Sequence, residues 1–235
     1  MNMKGSASQS HSADIVIFTV INHETEAVNE IFGKSRPAQQ IDGRNYWDFG
    51  NIGSVHVVHA VTGMGDLATI SAAEAAILSF SPSLMICVGV AWGAKPDKWK
   101  IGELLLATLL HDWAHRKESE VEGVISRGFT IPPSGALLQS VRASHMDWNP
   151  RFEHGKPELH DGLMLSNPVL YDDEIERNKA LSAHPEAVGG EMEGRGLVWV
   201  AHEKKRDWLV IKAICDWGAG KNAPGANKDE SQILV

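Results

Sequence analysis

The sequence predicts an α/β domain, and three observations carry that prediction. Apolar runs of strand length recur along the chain, helix-length segments separate several of them, and most runs give way to Gly, Asn or Asp where a loop must begin. The runs are apolar at consecutive positions, so they read as strands covered on both faces, in a largely parallel sheet.

In chain order, "DIVIFTV" at 14–20 is the first strand and 25–31 the first helix. "SVHVVHAV" at 54–61 is the second strand, and the segment 66–80 is a helix. "LMICVGVA" at 84–91 and "ELLLATLL" at 103–110 are buried strands, with a helix at 134–145. "GLMLS" at 162–166, a helix at 193–204 and "DWLVIKAIC" at 207–215 complete the pattern. The polar start, 1–12, reads as a flexible tail and 13–235 as one domain. The apolar end "SQILV" looks like the first turn of a helix, so the natural polypeptide is expected to continue beyond Val235.

The totals narrow the function. A chain of 235 residues with 43% hydrophobic content can bury one large core. Its net charge of −8 leaves no broad basic surface for a long nucleic acid, whereas a small phosphorylated ligand needs only a few cations or a helix N-terminus. Cys87 and Cys215 sit inside apolar runs and read as packed thiols of a reducing cytoplasm. The longest apolar stretch, near 84–94, is too short to span a bilayer, and the start has no signal-peptide core.

In α/β sheets, ligands bind beyond the carboxyl ends of the strands. Three acids fall there or at adjoining helix starts: Glu24, Glu193 and Asp216. The glycines of "TGMGD", Gly63 and Gly65, would bring backbone amides close to a water or an anion. The stretch "AVGGEMEGRGL" places Glu191 and Glu193 either side of Met192, and a helix start alone would already favour an acid. His111 and His115 are four apart, but with no HExxH glutamate and no evident third ligand they make a weak zinc pair.

The order of "TGMGDLATISAAEAA", "ICVGVAWGAKPDKWKIGELLLAT", "HPEAVGGEMEGRG" and "WLVIKAICDWGAGKN" resembles the nucleoside phosphorylase/nucleosidase superfamily, above all its methylthioadenosine/S-adenosylhomocysteine nucleosidase branch. The wording "HPEAVGGEMEG" with "VIKAICDW" is also similar to related domains fused to other modules in bacterial defence proteins and fungal NLR-like proteins, which implies possible fusion and a role in antiviral defence. The resemblance implies a three-layer fold with a twisted mixed sheet flanked by helices, a purine nucleoside or nucleotide as substrate, and a homodimer or higher oligomer. It implies no organic cofactor and no metal, because carboxyl groups can move the proton and stabilise the charge.

By the same resemblance, Asp216 would protonate the departing purine, where burial would favour the acid form, and Glu24 would activate water. Met192 and Glu193 would hold the ribose; Val90, Ala91 and Trp92 would form the pocket floor, and Ser166 and Asn167 would meet the base edge. Glu191 would aid binding or neutralise a structural cation. Independently of the resemblance, the segment "HDWAHRKE" with His111, His115, Arg116 and Lys117 reads first as a solvated loop, and alternatively as a basic knot that would hold a 5′-phosphate. The arginines that hold phosphate in the phosphorylases have no counterpart in "TVINHETE" or "MICVGVAWG", so water is the expected nucleophile, with Arg44 and Lys95 as reserve anion sites. A purine nucleoside phosphorylase and a non-catalytic nucleoside sensor are the alternatives.

Overall fold

The computed structural model describes residues 12–33, 39–41, 43–121, 123–150 and 155–220. The expected tail up to residue 11 and the C-terminal turn at 231–235 lie outside them. The elements are β1 (Ile15–Thr19), α1 (Asn22–Phe32), β2 (Gln39–Ile41), β3 (Arg44–Ile52), β4 (Val55–Val61), α2 (Asp66–Phe80) and β5 (Leu84–Gly93). Then come β6 (Leu104–Asp112), β7 (Arg116–Ser119), β8 (Gly123–Ser126), β9 (Thr130–Ile131), α3 (Gly135–Asp147), β10 (Leu159–Ser166), α4 (Glu174–Ala183), β11 (Ala187–Glu191), α5 (Gly194–Glu203) and β12 (Asp207–Asp216).

The main sheet runs β11-β10-β6-β12-β5-β1-β4-β3-β2, with β9 beside β6. It is mixed. Parallel pairs join β4 to β1, β1 to β5, β5 to β12, and β6 to β10 to β11. The β2-β3-β4 meander is antiparallel, as its short connections require, and β12 meets β6 antiparallel. The expectation of a largely parallel sheet is corrected accordingly.

Parity along the strands sets the layers, because successive side chains point to opposite faces. Val16, Phe18, Met85, Cys87, Leu105, Val210 and Ile214 share one cluster with Ala73 and Ala76 of α2 and with Leu197 and Ala201 of α5. On the opposite face Ile17 packs with Val28 of α1, and Leu106 and Leu209 pack with Leu138 of α3. Three layers result.

Beyond β1 the sheet closes on itself. The end of β5 pairs antiparallel with β11, Gly93 against Gly189 and Trp92 against Gly190, so that β11, β10, β6, β12 and β5 form a ring. Only glycine permits this approach: a Cβ on Gly189 would collide with the Trp92 carbonyl, and one on Gly190 with the Trp92 indole.

The "HDWAHRKE" segment is not a loop of converging cations. His111 and Asp112 end β6, and Arg116 and Lys117 start the β7–β8 hairpin. No helix among the described residues is long and apolar enough to cross a membrane.

Candidate active site

The loops that follow β1, β4, β10, β11 and β12 meet beside the curled end of β5. A cleft open to solvent lies there. Its wall includes Ala91 and Trp92 from β5, Glu191 and Met192 after β10's neighbour β11, Asn167 after β10, and Asp216 at the end of β12.

Glu24 is bound at three points. Its Oε2 accepts the amides of Val20 (2.7 Å) and Ile21 (3.1 Å), closing the first turn of α1 back on itself, and its Oε1 accepts the Val90 amide at 3.0 Å. The carboxylate reaches β5 because Gly89, at φ 155, has no side chain in its path; a Cβ there would strike Oε1. An ionised carboxylate offers about four lone-pair sites, so Oε1 keeps one for a further donor such as water.

A hydrogen-bonded tie holds this turn from behind. Thr25 Oγ1 donates to the Ile21 carbonyl (3.1 Å), so it accepts from Thr19 Oγ1 (2.8 Å), and Thr19 in turn accepts from His59 Nε2 (2.8 Å). His59 therefore carries its proton on Nε2. Burial pushes its pKa down to about 4, and Nδ1 has no hydrogen-bond partner.

The two acids of "EMEG" hold different partners, and of the two Glu191 is the one in the cleft wall. Glu193 is the N-cap residue of α5 but makes no side-chain cap. Glu191 does that work: its Oε2 accepts the amides of Glu193 (2.9 Å) and Gly194 (2.7 Å), where the helix dipole favours a negative charge. Glu193 is thereby released, and its Oε1 accepts the Gly65 amide at 3.3 Å while its Oε2 accepts from Lys212 Nζ at 3.3 Å. One acceptor site remains on each oxygen, which matches two vicinal hydroxyls.

Lys212 was not singled out from sequence. It lies on the strand face that also carries Val210 and Ile214, fully enclosed, with Glu191 Oε2 at 3.6 Å. A lone lysine inside the apolar run "VIKAIC" was the available signal. Burial opposes its charge, but the carboxylates of Glu193, Glu191 and Glu24 around it outweigh that effect and hold the ammonium well above the usual lysine value. Burial likewise raises Glu191, opposed by Lys212, so Lys212 is the structural cation that Glu191 faces. Burial pushes the Cys87 thiol up to about 12, as expected of a packed, inert thiol.

Asp216 is half-buried. Its Oδ1 accepts the Gly218 amide at 2.6 Å and the Cys215 thiol lies 3.2 Å from Oδ2, so this is a hydrogen-bonded carboxyl at the cleft edge rather than one in apolar surroundings.

The other expected residues separate. Val90 contributes its amide to Glu24, whereas Ala91 and Trp92 line the cleft. The Gly65 amide is spent on Glu193, and Gly63 packs near Ala68. Ser166 is fully buried and its hydroxyl accepts the Arg195 amide at 2.8 Å, which secures α5, while Asn167 faces the cleft. Arg116 lies over the Trp113 ring and bonds Glu118 at 3.0 Å. His111 bonds Thr130 and Ser126, and His115 bonds Asp112. The structure does not gather these groups into one cationic site.

A family model described as the phosphorylase superfamily matches residues 14–234. The death domain-containing ATP nucleosidase of Amphimedon queenslandica is 27% identical over 158 residues, which is 60% of this chain and 30% of that protein. The chain thus spans less than a third of that relative's length. Among solved structures, the 5′-methylthioadenosine/S-adenosylhomocysteine nucleosidase of Neisseria meningitidis in complex with methylthio-immucillin-A superimposes with a TM-score of 0.75 at 18% identity, covering 94% of this chain and 92% of that one. The futalosine hydrolase of Helicobacter pylori gives a TM-score of 0.75 at 18% identity, covering 96% and 94%.

Proposed function

The chain belongs to the phosphorylase superfamily, and from that premise we propose that it is a purine N-ribosyl hydrolase acting on adenine nucleosides or nucleotides. One observation carries the reading: Asp216 and Met192 line the same cleft, Glu193 follows Met192 in the chain, and Glu24 is anchored to β5 at Val90, two residues before cleft-lining Trp92.

Asp216 donates a proton to N7 of the purine, so the base leaves neutral. Glu193 takes the ribose 2′ and 3′ hydroxyls on its two unspent acceptor sites, and its charge opposes the positive charge that grows on the sugar. Water attacks the anomeric carbon from the opposite face, giving its proton to Oε1 of Glu24. The bond from carbon to N9 breaks as the bond to oxygen forms, and free base and a ribosyl product result.

Water is favoured over phosphate by the cations that adjoin the glycine loop. Lys212 faces Glu191 and Glu193, and Arg195 pairs with Asp66 and lies 3.6 Å from Asp112. Arg44 and Lys95, the reserve anion sites, bond Ser71 and lie over Trp99. A homodimer belongs to this reading, with exposed Met64, Leu67, Leu78 and Trp199 as apolar surface for it to cover. So does a catalytic module carried in a longer protein, as the partial match to the Amphimedon nucleosidase suggests.

Asp216→Asn tests the assignment. It should bind adenosine with near-native affinity by calorimetry, yet lose roughly 100-fold or more in turnover. Full turnover in this variant would remove Asp216 as the acid.

A further inference from the structure

The donor count around Tyr171 leaves one hydrogen without an acceptor. Trp113 Nε1, which can only donate, gives its hydrogen to the Tyr171 hydroxyl at 2.8 Å. Asn167 Nδ2 lies 3.0 Å from the same oxygen, and the orientation of that amide is fixed because Asn167 Oδ1 accepts the Val169 amide at 3.3 Å. Both neighbours therefore donate to the phenol oxygen, and its own hydrogen finds no acceptor among the described residues. Trp113, Asn167 and Tyr171 all line the cleft, with the Trp92 ring 6.0 Å from Tyr171.

We propose that Tyr171 reads the purine: its hydroxyl donates to a nitrogen of the six-membered ring, N1 or N3. The two accepted bonds turn the hydroxyl into a one-way donor, so the group selects for a lone pair and against a ring N–H at the position it meets. Burial raises the phenol above its ordinary value, more than its two donors lower it, so the hydrogen is in place at neutral pH. Trp113 and Asn167 act through Tyr171 as positioning residues. This inference rests on the cleft being the base site of the proposed hydrolase.

The test compares adenine, 1-deazaadenine and 3-deazaadenine as ligands by calorimetry, and adenosine with its two deaza counterparts as substrates. Wild type should bind one deaza base about 5–150-fold more weakly than adenine, since a buried donor loses its partner. Tyr171→Phe should bind adenine and that deaza base alike. An equal loss for all three bases in Tyr171→Phe would show a structural role and overturn the proposal, as would wild-type indifference to both deaza bases or binding of none.

If Tyr171→Phe does not fold, 3-fluorotyrosine incorporation serves instead; the chain has two tyrosines, and Tyr46 packs in the core. The more acidic phenol should widen the preference for adenine over the deaza base, and an unchanged ratio would overturn the proposal. Binding of the bases without release of any base from the nucleosides would instead overturn the hydrolase reading and leave Tyr171's role standing.

Discussion

Lys212 Nζ lies 3.3 Å from Oε2 of Glu193, with the side chain of the lysine wholly enclosed and that of the glutamate nearly so. A charge so placed, with the Gly65 amide on the other oxygen, fixes the orientation of the carboxylate. Two carboxylates share this ammonium, Glu193 at 3.3 Å and Glu191 at 3.6 Å, so removing it would leave both buried acids without their cation.

Lys212→Met follows directly. Removing one member of a buried ionic group while leaving its partners costs about 3–5 kcal/mol. Urea denaturation should show a loss of that order, and any folded fraction should have little turnover. A variant as stable as wild type would mean that the lysine does not compensate the two glutamates.

Ser166→Ala separates the two readings of Ser166. If its hydroxyl serves the Arg195 amide and not the base, stability should fall by about 1 kcal/mol with KM unchanged. A raised KM at unchanged stability would return Ser166 to the base edge.

His59 supplies a pH dependence. Its pKa in the fold, about 4, lies below the ordinary value of 6.5, so between those limits the unfolded chain takes up the proton that the fold refuses. Stability is complete above pH 6.5 and is lost as pH falls toward 4, by up to about 1.4 kcal/mol per pH unit. Denaturation midpoints of wild type and His59→Gln at pH 7 and pH 5 check this: the difference between the proteins should shrink at the lower pH. A constant difference would contradict a neutral His59.

Gly189→Ala probes the closed ring. Its Cβ must displace the Trp92 carbonyl, so the pairing of β5 with β11 should be lost, and with it both stability and the cleft wall. Unfolding midpoints and adenine affinity should fall together; an unaffected variant would show that the ring does not support the site.

Much of this was legible in the sequence, for identifiable reasons. The long apolar strands β1, β4, β5, β6 and β12 are largely buried, so their composition marks them, and Glu24 and Asp216 stood out as candidates because they lie near the ends of β1 and β12. In β3 the residues Arg44, Asn45 and Asp48 break the apolar run, and α4 buries only Ala180, so neither element had a strong periodic signature. The brief β11, "AVGGE", owes its place to the glycines that let it touch β5. Division of labour between Glu191 and Glu193 depends on Lys212 and Gly65, 21 and 126 positions away from Glu191, and spacing along the chain cannot show which acid turns toward which partner.

The most direct measurement of the central claim is chromatography of the bases released from adenosine, methylthioadenosine, S-adenosylhomocysteine, AMP and ATP in phosphate-free buffer, repeated with phosphate. The account predicts free adenine from at least one of them without phosphate, at a rate that phosphate leaves unchanged. Adenine that appears only when phosphate is present, or no adenine from any of the five, would contradict it.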